Sequence, residues 1–331
     1  TKFTLGTISI LMPFKNEENY IEECLNSILL QSHNDWQLIA VDDHSNDQSR
    51  AIMEKEKDPR IEVYTNEGMG ILPALQTAQK HIRGTYVTRM DADDIMPMHK
   101  LESLLKFVRS KNGGIVATGA VKYFSDATIS EGYQRYEHWL NKTADGERFY
   151  KRIYRECTVA SANWMMRLTD FNEMNGYNKL RYPEDYDMIF HWRKHGFQIK
   201  SCEQMTHLWR EHPQRTSRNS EWYQQESFFR LKLSYFLEEF KEHPLYLIGT
   251  EKKGQLIASL LEEHQVAFRW FTHEEQKTGS IKQGVRLEHF SLLPTDGICI
   301  LAVYPPKKER TTLKNFVRER GYDMGSTAHF F

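Results

Sequence analysis

The first half of the chain alternates two hydrophobic patterns. Ile8-Ser9-Ile10-Leu11-Met12 is a short, nearly continuous apolar run closed by Pro13, the pattern of a strand buried on both faces. Asn16 is a helix-capping residue, and Ile21, Leu25, Ile28 and Leu29 then recur at helical spacing. Glu17, Glu18, Glu22 and Glu23 sit early in that helix, where the backbone dipole favours negative charge. Gln37 to Val41 reads as a second strand ending in Asp42-Asp43, followed by a helix through Ile52. A strand at Ile61 to Tyr64, a helix at Leu72 to Ile82 and a strand at Tyr86 to Met90 continue the alternation. Asp91-Ala92-Asp93-Asp94 follows directly. Leu101, Leu104, Leu105 and Val108 then mark a helix, and Ile115 to Val121 a strand.

Strands that alternate with helices in this way predict a mostly parallel sheet covered on both faces. Ligands of such sheets sit beyond the carboxyl ends of the strands. Asp42-Asp43 and Asp91–Asp94 both fall at such ends, where packing does not account for carboxylates.

The stretch 123–160 is less regular and mixes Tyr133, Tyr136, Trp139, Phe149, Tyr150 and Tyr154 with Arg and Lys. Asp185 to His195 predicts a helix stopped by Gly196, and Glu221 to Glu242 a long one. After Pro244 the alternation restarts: a strand at Leu245 to Ile248, a helix through Leu256, Leu260 and Leu261, strands at Ala267 to Phe271 and Ile298 to Val303, and a last helix holding Leu313, Phe316 and Val317. We therefore expect an α/β domain over 1–243, including the long helix, and a small doubly wound α/β domain over 244–331.

Composition narrows the classes. At 331 residues the chain is long enough for about two domains. With 27% charged and 40% hydrophobic residues it reads as globular rather than disordered. The net charge of −1 gives no general attraction to nucleic acid or to anionic lipid. No apolar run approaches the ~20 residues of a membrane span, and none is flanked as a signal peptide. Cys24, Cys157, Cys202 and Cys299 are widely spaced, which fits neither a zinc site nor a disulfide framework and leads us to expect a reducing cytoplasm. Because the first residue is Thr1, a few residues are expected to precede it.

The acidic clusters carry the candidate chemistry. Asp91, Asp93 and Asp94 repel one another, and a hard divalent cation, Mn2+ or Mg2+, relieves that by taking one or two carboxylates together with substrate phosphates. The plainer reading is a solvated turn with Asp94 capping the next helix. Asp42-Asp43 can accept hydrogen bonds from a nucleoside, or can cap a helix together with Ser45 and Asn46. In Tyr182-Pro183-Glu184-Asp185-Tyr186-Asp187, Pro183 disfavours helix before it, so Glu184 and Asp185 open one. A carboxylate there is either a general base or part of a charged first turn. The segment from Arg210 through His212 and Arg215 to Arg218 is basic and hydroxyl-rich, suited to clamping a diphosphate or to being a solvated loop.

Taken in order, these segments resemble the inverting family 2 glycosyltransferases of the GT-A fold, over roughly residues 6–220. The resemblance rests on Ser9 to Glu18, Val41 to Asp47, Arg89 to Asp94 and Glu184 to Asp187. It implies transfer of one sugar from a nucleotide-diphosphate donor to the hydroxyl of a glycan or lipid-linked acceptor, in surface polysaccharide or glycolipid assembly. It also implies that Pro13, Phe14, Asn16, Glu17, Asp42, Asp43 and Asp91 hold the nucleotide and that Asp93, with Asp91, holds the metal. Asp185 is the implied base, with Glu184, Arg210, His212 and Arg215 toward acceptor or diphosphate. Lys15 stands where many members carry an aromatic residue, and the QxxRW motif of processive synthases is absent, which favours single addition. The resulting expectation is a cytoplasmic enzyme, compatible with peripheral association at the inner membrane face. Two alternatives remain: an inactive GT-A-like scaffold, and a sugar nucleotidyltransferase, whose Gly- and Arg-rich loop is missing after the first strand. The C-terminal Gly249-Thr250-Glu251-Lys252-Lys253-Gly254 aligns with GxGxxG, but Glu251 sets bulk and negative charge where a pyrophosphate would lie, so packing or partner binding is the expected role.

Overall fold

The computed structural model describes residues 6–144, 148–213, 221–303 and 307–331. The chain divides into two compact units, one comprising 1–149 with 158–219, the other 150–157 with 220–331. In the first unit the elements run β1 (Ile8–Phe14), α1 (Ile21–Leu29), β2 (Trp36–Asp42), α2 (Ser49–Lys55), β3 (Ile61–Thr65), α3 (Ile71–Gln79), β4 (Tyr86–Arg89), α4 (Lys100–Val108), β5 (Ile115–Phe124), α5 (Glu131–Ala144), β6 (Met165–Arg167), α6 (Leu168–Glu173), α7 (Glu184–Lys194) and β7 (Gln198–Arg210). Seven strands form one sheet in the order β3-β2-β1-β4-β6-β5-β7. Only β6 runs antiparallel to its neighbours.

Every residue of β1 and β2 is buried, as central strands require. Ile8, Ile10, Met12 and Phe14 turn to the face covered by α1 and α4, against Leu25, Ile28, Leu101 and Leu104. The opposite face is covered by α3, which contributes Ala74, Leu75 and Ala78. Because β1, β2 and β4 are parallel, their carboxyl ends, which carry Phe14, Asp42 and Arg89, open on one edge of the sheet.

In the second unit, α8 (Glu221–Glu239) precedes β8 (Leu245–Ile248), α9 (Lys252–Glu263), β9 (Phe268–Thr272), β10 (Ile281–Lys282), β11 (Val285–His289), β12 (Ile298–Leu301), α10 (Lys307–Glu319) and β13 (Ala328–Phe330). Its sheet has the order β10-β11-β9-β8-β12-β13 and is parallel except for the β10–β11 hairpin. The long helix expected to close the first domain clusters instead with this unit, as do residues 150–157. A Cβ on Gly254 would lie 2.0 Å from the Gly249 carbonyl oxygen, so this glycine lets α9 close against the end of β8. Glu251 is exposed and paired with Lys277 at 2.8 Å.

Candidate active site

The loops after β1 and β2 interlock. Asn16 and His44 both adopt left-handed backbone (φ 56° and 59°), a conformation Asn tolerates through local hydrogen bonds. The Asn16 amide donates to Ser45 Oγ (3.0 Å), and the Asn46 amide donates to Asn16 Oδ1 (2.9 Å). The Glu17 amide donates to Ser49 Oγ at 2.7 Å. Asp42 accepts from the Ser45 amide (2.9 Å) and faces Arg50 at 3.6 Å. Asp43 Oδ1 takes hydrogen bonds from Asn66 Nδ2 (2.6 Å) and the Gly70 amide (2.9 Å), while its Oδ2 faces the Lys15 ammonium at 3.3 Å. Gly70 has φ 94°, so the turn that presents its amide to Asp43 needs a residue without a Cβ. Lys15, where the resemblance leads one to expect an aromatic ring, thus pairs with Asp43 instead.

The three aspartates after β4 separate into distinct roles. Asp91 takes one partner on each oxygen: Arg89 Nε reaches Oδ1 at 2.7 Å and Ser161 Oγ donates to Oδ2 at 2.9 Å. Asp93 Oδ2 lies 3.1 Å from His212 Nε2, and the other ring nitrogen of His212 is buried without a hydrogen-bond partner. Asp94 is fully buried; it accepts from the Arg210 amide (2.8 Å) and pairs with His207 Nε2 (2.9 Å). Behind His207, the buried Lys100 ammonium lies 3.5 Å from Nδ1 and donates to the Ala162 carbonyl at 2.5 Å. An ammonium only donates, so Nδ1 accepts and the Nε2–H points at Asp94. Burial, opposed by Asp94, pushes Lys100 down to about 8.

Arg210 closes β7 over this turn. Its Nε donates to the Asp93 carbonyl (2.8 Å) and its guanidinium pairs with Glu23 (2.5 Å). The Tyr20 and Phe124 rings flank it at 4.9 and 4.5 Å. Arg210 therefore fixes the acidic turn. Glu17 sits in the same negative field: burial first, then Asp93, Asp47 and Asp91, push it up to about 8. A divalent cation relieves such a field. Asp93 and His212 offer an oxygen and a nitrogen on one side of the turn, a donor pair better suited to Mn2+ than to the oxygen-preferring Mg2+. Among the described residues no three His, Cys, Asp or Glu side chains already form a closed cage.

Pro183 caps α7, and the helix begins at Glu184. Glu184 is buried and bound to Arg89 NH1 at 2.9 Å. One guanidinium thus ties the end of β4, through Asp91, to the head of α7. Asp185 is half-buried, with Oδ1 accepting the Tyr186 amide at 2.8 Å. Burial and then Glu184, opposed by Arg89, push Asp185 up to about 7. The preceding turn is held by Asp187, which accepts the Arg181 amide at 2.6 Å.

Comparison with known proteins places this geometry. The model of glycosyl transferase family 2 matches residues 9–174, half of the chain. The chain belongs to glycosyl transferase family 2. TuaG of Bacillus subtilis, whose name provisionally assigns it to teichuronic acid biosynthesis, is 37% identical over 124 residues, covering 37% of this chain and 49% of its own. WfgD of Escherichia coli, a UDP-Glc:α-D-GlcNAc-diphosphoundecaprenol β-1,3-glucosyltransferase, is 35% identical over 106 residues, or 32% of this chain and 42% of its own. These matches span half or less of each relative's length. Among solved structures, TarS 1–349 of S. aureus superposes with a TM-score of 0.53 at 19% identity, over 78% of this chain and 71% of that one. The mannosyltransferase PcManGT of Pyrobaculum calidifontis, in complex with GDP-Man and Mn2+, gives 0.51 at 14% identity over 70% and 64%. The fold is thus that of GT-A glycosyltransferases, as the sequence led us to expect.

Against the expected family 2 site, the loops after β1 and β2 join Asn16 to Ser45 and Asn46, and Asp43 to Lys15 and the Gly70 turn. Asp93 comes to His212, but Asp91 comes to Arg89 and Ser161. Arg215 lies outside the described residues. Sequence reasoning missed Arg89, Lys100, Ser161 and His207 as parts of the site. Arg89 stood two positions before Asp91, at the end of β4, and that local spacing was the signal for it. The others become neighbours only through pairing of distant elements.

Proposed function

We propose that this protein is a metal-dependent inverting glycosyltransferase that moves one sugar from a nucleotide-diphosphate sugar to an acceptor hydroxyl in surface polysaccharide or glycolipid assembly. The observation that carries the reading is the tie made by Arg89, which bonds both Asp91 of the metal-side turn and Glu184 beside the candidate base Asp185. The names of TuaG and WfgD support the setting, and WfgD's acceptor is a lipid diphosphate.

In the reaction, Asp185 takes the acceptor O–H proton as that oxygen forms a bond to the anomeric carbon. The bond from that carbon to the diphosphate breaks on the opposite face, the nucleoside diphosphate leaves with the electron pair, and the configuration inverts. Asp43 and the loops around Asn16 hold the nucleoside. Asp93 and His212 would hold Mn2+ or Mg2+, which supplies positive charge to the departing diphosphate. A base poised near neutrality suits this work, because about half of it is ionised at pH 7 while it is still basic enough to accept a proton.

A thermal-shift panel of UDP, GDP, dTDP and CMP, each with and without Mn2+, tests the reading, because a ligand of the native state raises its apparent stability. One nucleotide should raise the melting temperature only with Mn2+, and Asp93→Ala should abolish the rise. No shift with any nucleotide, or one indifferent to metal and to Asp93, would contradict it.

A further inference from the structure

Lys100 is a buried charge that the reaction does not use. It opens α4 with none of its surface exposed. Both facts disfavour a cation: an ammonium loses its hydration when buried, and the positive end of the helix dipole lies at the first turn. A methionine there would fill similar space at neither cost. The ammonium nevertheless makes two polar contacts, a hydrogen bond to the Ala162 carbonyl (2.5 Å) and a longer one to His207 Nδ1 (3.5 Å). Neither acceptor is a carboxylate, so these contacts join a backbone segment to a ring rather than balance a charge.

The two acceptors belong to the two supports of the acidic turn. Ala162 directly follows Ser161, whose Oγ donates to Asp91 Oδ2 at 2.9 Å. His207 donates through Nε2 to Asp94 Oδ2 at 2.9 Å, and the other oxygen of Asp94 accepts the Arg210 amide at 2.8 Å. Arg210 in turn reaches back to the Asp93 carbonyl at 2.8 Å. One ammonium thus stands where the support of Asp91 meets the support of Asp94, and Asp93 lies between those two residues in the chain. The segment around Ala162 has its own anchor to β5 and β7: Asn163 Nδ2 donates to the Gly119 carbonyl (2.8 Å), and Thr206 Oγ1 donates to Asn163 Oδ1 (2.7 Å). Loss of the Lys100 contacts should therefore shift the supports without unfolding them.

We propose that Lys100 is a positioning residue of the cation site: by holding Ala162 and His207 to one point it fixes Asp91 and Asp94, and with them the place from which Asp93 and His212 meet a divalent cation. The proposal rests on the reading of Asp93 and His212 as the cation's holders. Outer groups that orient a metal's ligands are worth roughly 10- to 100-fold in metal affinity. The sign of the effect separates this role from plain charge balance. Like charges repel, so if Lys100 only offset the negative turn, removing its charge would tighten Mn2+ binding. If Lys100 positions the turn, removing it weakens Mn2+ binding.

Thermal shift of the full chain tests this, with Mn2+ titrated at a fixed saturating concentration of whichever of UDP, GDP, dTDP or CMP responds. The Mn2+ concentration that gives half of the full shift should rise roughly 10- to 100-fold in Lys100→Met. It should also rise in Ser161→Ala, which cuts the support of Asp91 and leaves the Lys100 charge in place; that variant decides the matter if Lys100→Met does not fold. A merely structural loss lowers the melting temperature with and without Mn2+ alike and leaves the half-saturating concentration where it is. An unchanged or lower Mn2+ requirement in folded Lys100→Met, or an unchanged one in Ser161→Ala, would overturn the proposal. A wild type without any Mn2+ response strikes the cation reading and this proposal together, whereas a wild-type response shared by both variants strikes this proposal alone.

Discussion

At the first turn of α7, two effects act on Asp185 in opposite directions. The helix dipole favours a carboxylate there by ~0.3–1 kcal/mol, less than one pKa unit. Burial and Glu184 outweigh it and lift the group from 3.8 to about 7. The rate kcat/KM should therefore rise with pH and level off above an inflection near 7, because the base works ionised. Asp185→Asn should cost ~10²–10⁴ in rate and keep the Mn2+-dependent nucleotide shift. The sign for stability follows from proton counts. Between the unfolded value near 4 and the folded value of about 7 the native state binds the extra proton, so stability falls as pH rises through that window. Urea midpoints of wild type and Asp185→Asn across pH 4 to 8 should diverge in the variant's favour toward the upper end. Asp94 is a buried acceptor that the fold depends on. Asp94→Ala would leave the buried His207 Nε2–H and the Arg210 amide without their acceptor and should destabilise by about 1–3 kcal/mol, read as a lower denaturant midpoint.

The element on which much of the site depends is the β5–β7 pair. Its register shifts between Thr118 and Val121, and Gly119 sits in that irregularity. A Cβ on Gly119 would lie 2.4 Å from Thr206 Oγ1 and 2.8 Å from Cys202 Sγ. Gly119→Ala should therefore push β7 outward and cost about 1–3 kcal/mol. Because β7 carries His207 and Arg210 to Asp94, the same variant should also weaken the Mn2+-dependent nucleotide shift, measured at a temperature where it is fully folded. This pairing also marks where sequence reading stopped. The buried runs of β1, β2 and β4 were legible because strands covered on both faces are uniformly apolar. So were the helices at Ile21, Leu101 and Glu184, whose apolar spacing or charged first turn is local. By contrast β6 has three residues and α5 a half-polar face, and β7 mixes exposed Glu203 and Gln204 with buried Thr206 and His207, so none shows a clean period.

Across the whole molecule, the acidic turns after β2 and β4 and at the head of α7 were legible as candidate chemistry, because carboxylates at strand ends and helix starts lack a packing explanation. Their division of labour was not. Sequence spacing could not show that Asp91 meets Ser161 or that Asp93 stands with His212, since these pairings bridge segments about 70 and 120 positions apart. The domain division follows similar logic: Pro244 is a clear local break, whereas α8 and residues 150–157 cluster with the second unit through contacts distant in sequence. The central claim, that these pieces make an active inverting transferase, has one direct test. Proton NMR of the full chain turning over its nucleotide sugar with Mn2+ and an acceptor reads the anomeric configuration of the first product formed. The account predicts a product of configuration opposite to the donor, from wild type and not from Asp185→Asn; retained configuration, or turnover that survives Asp185→Asn unchanged, would contradict it.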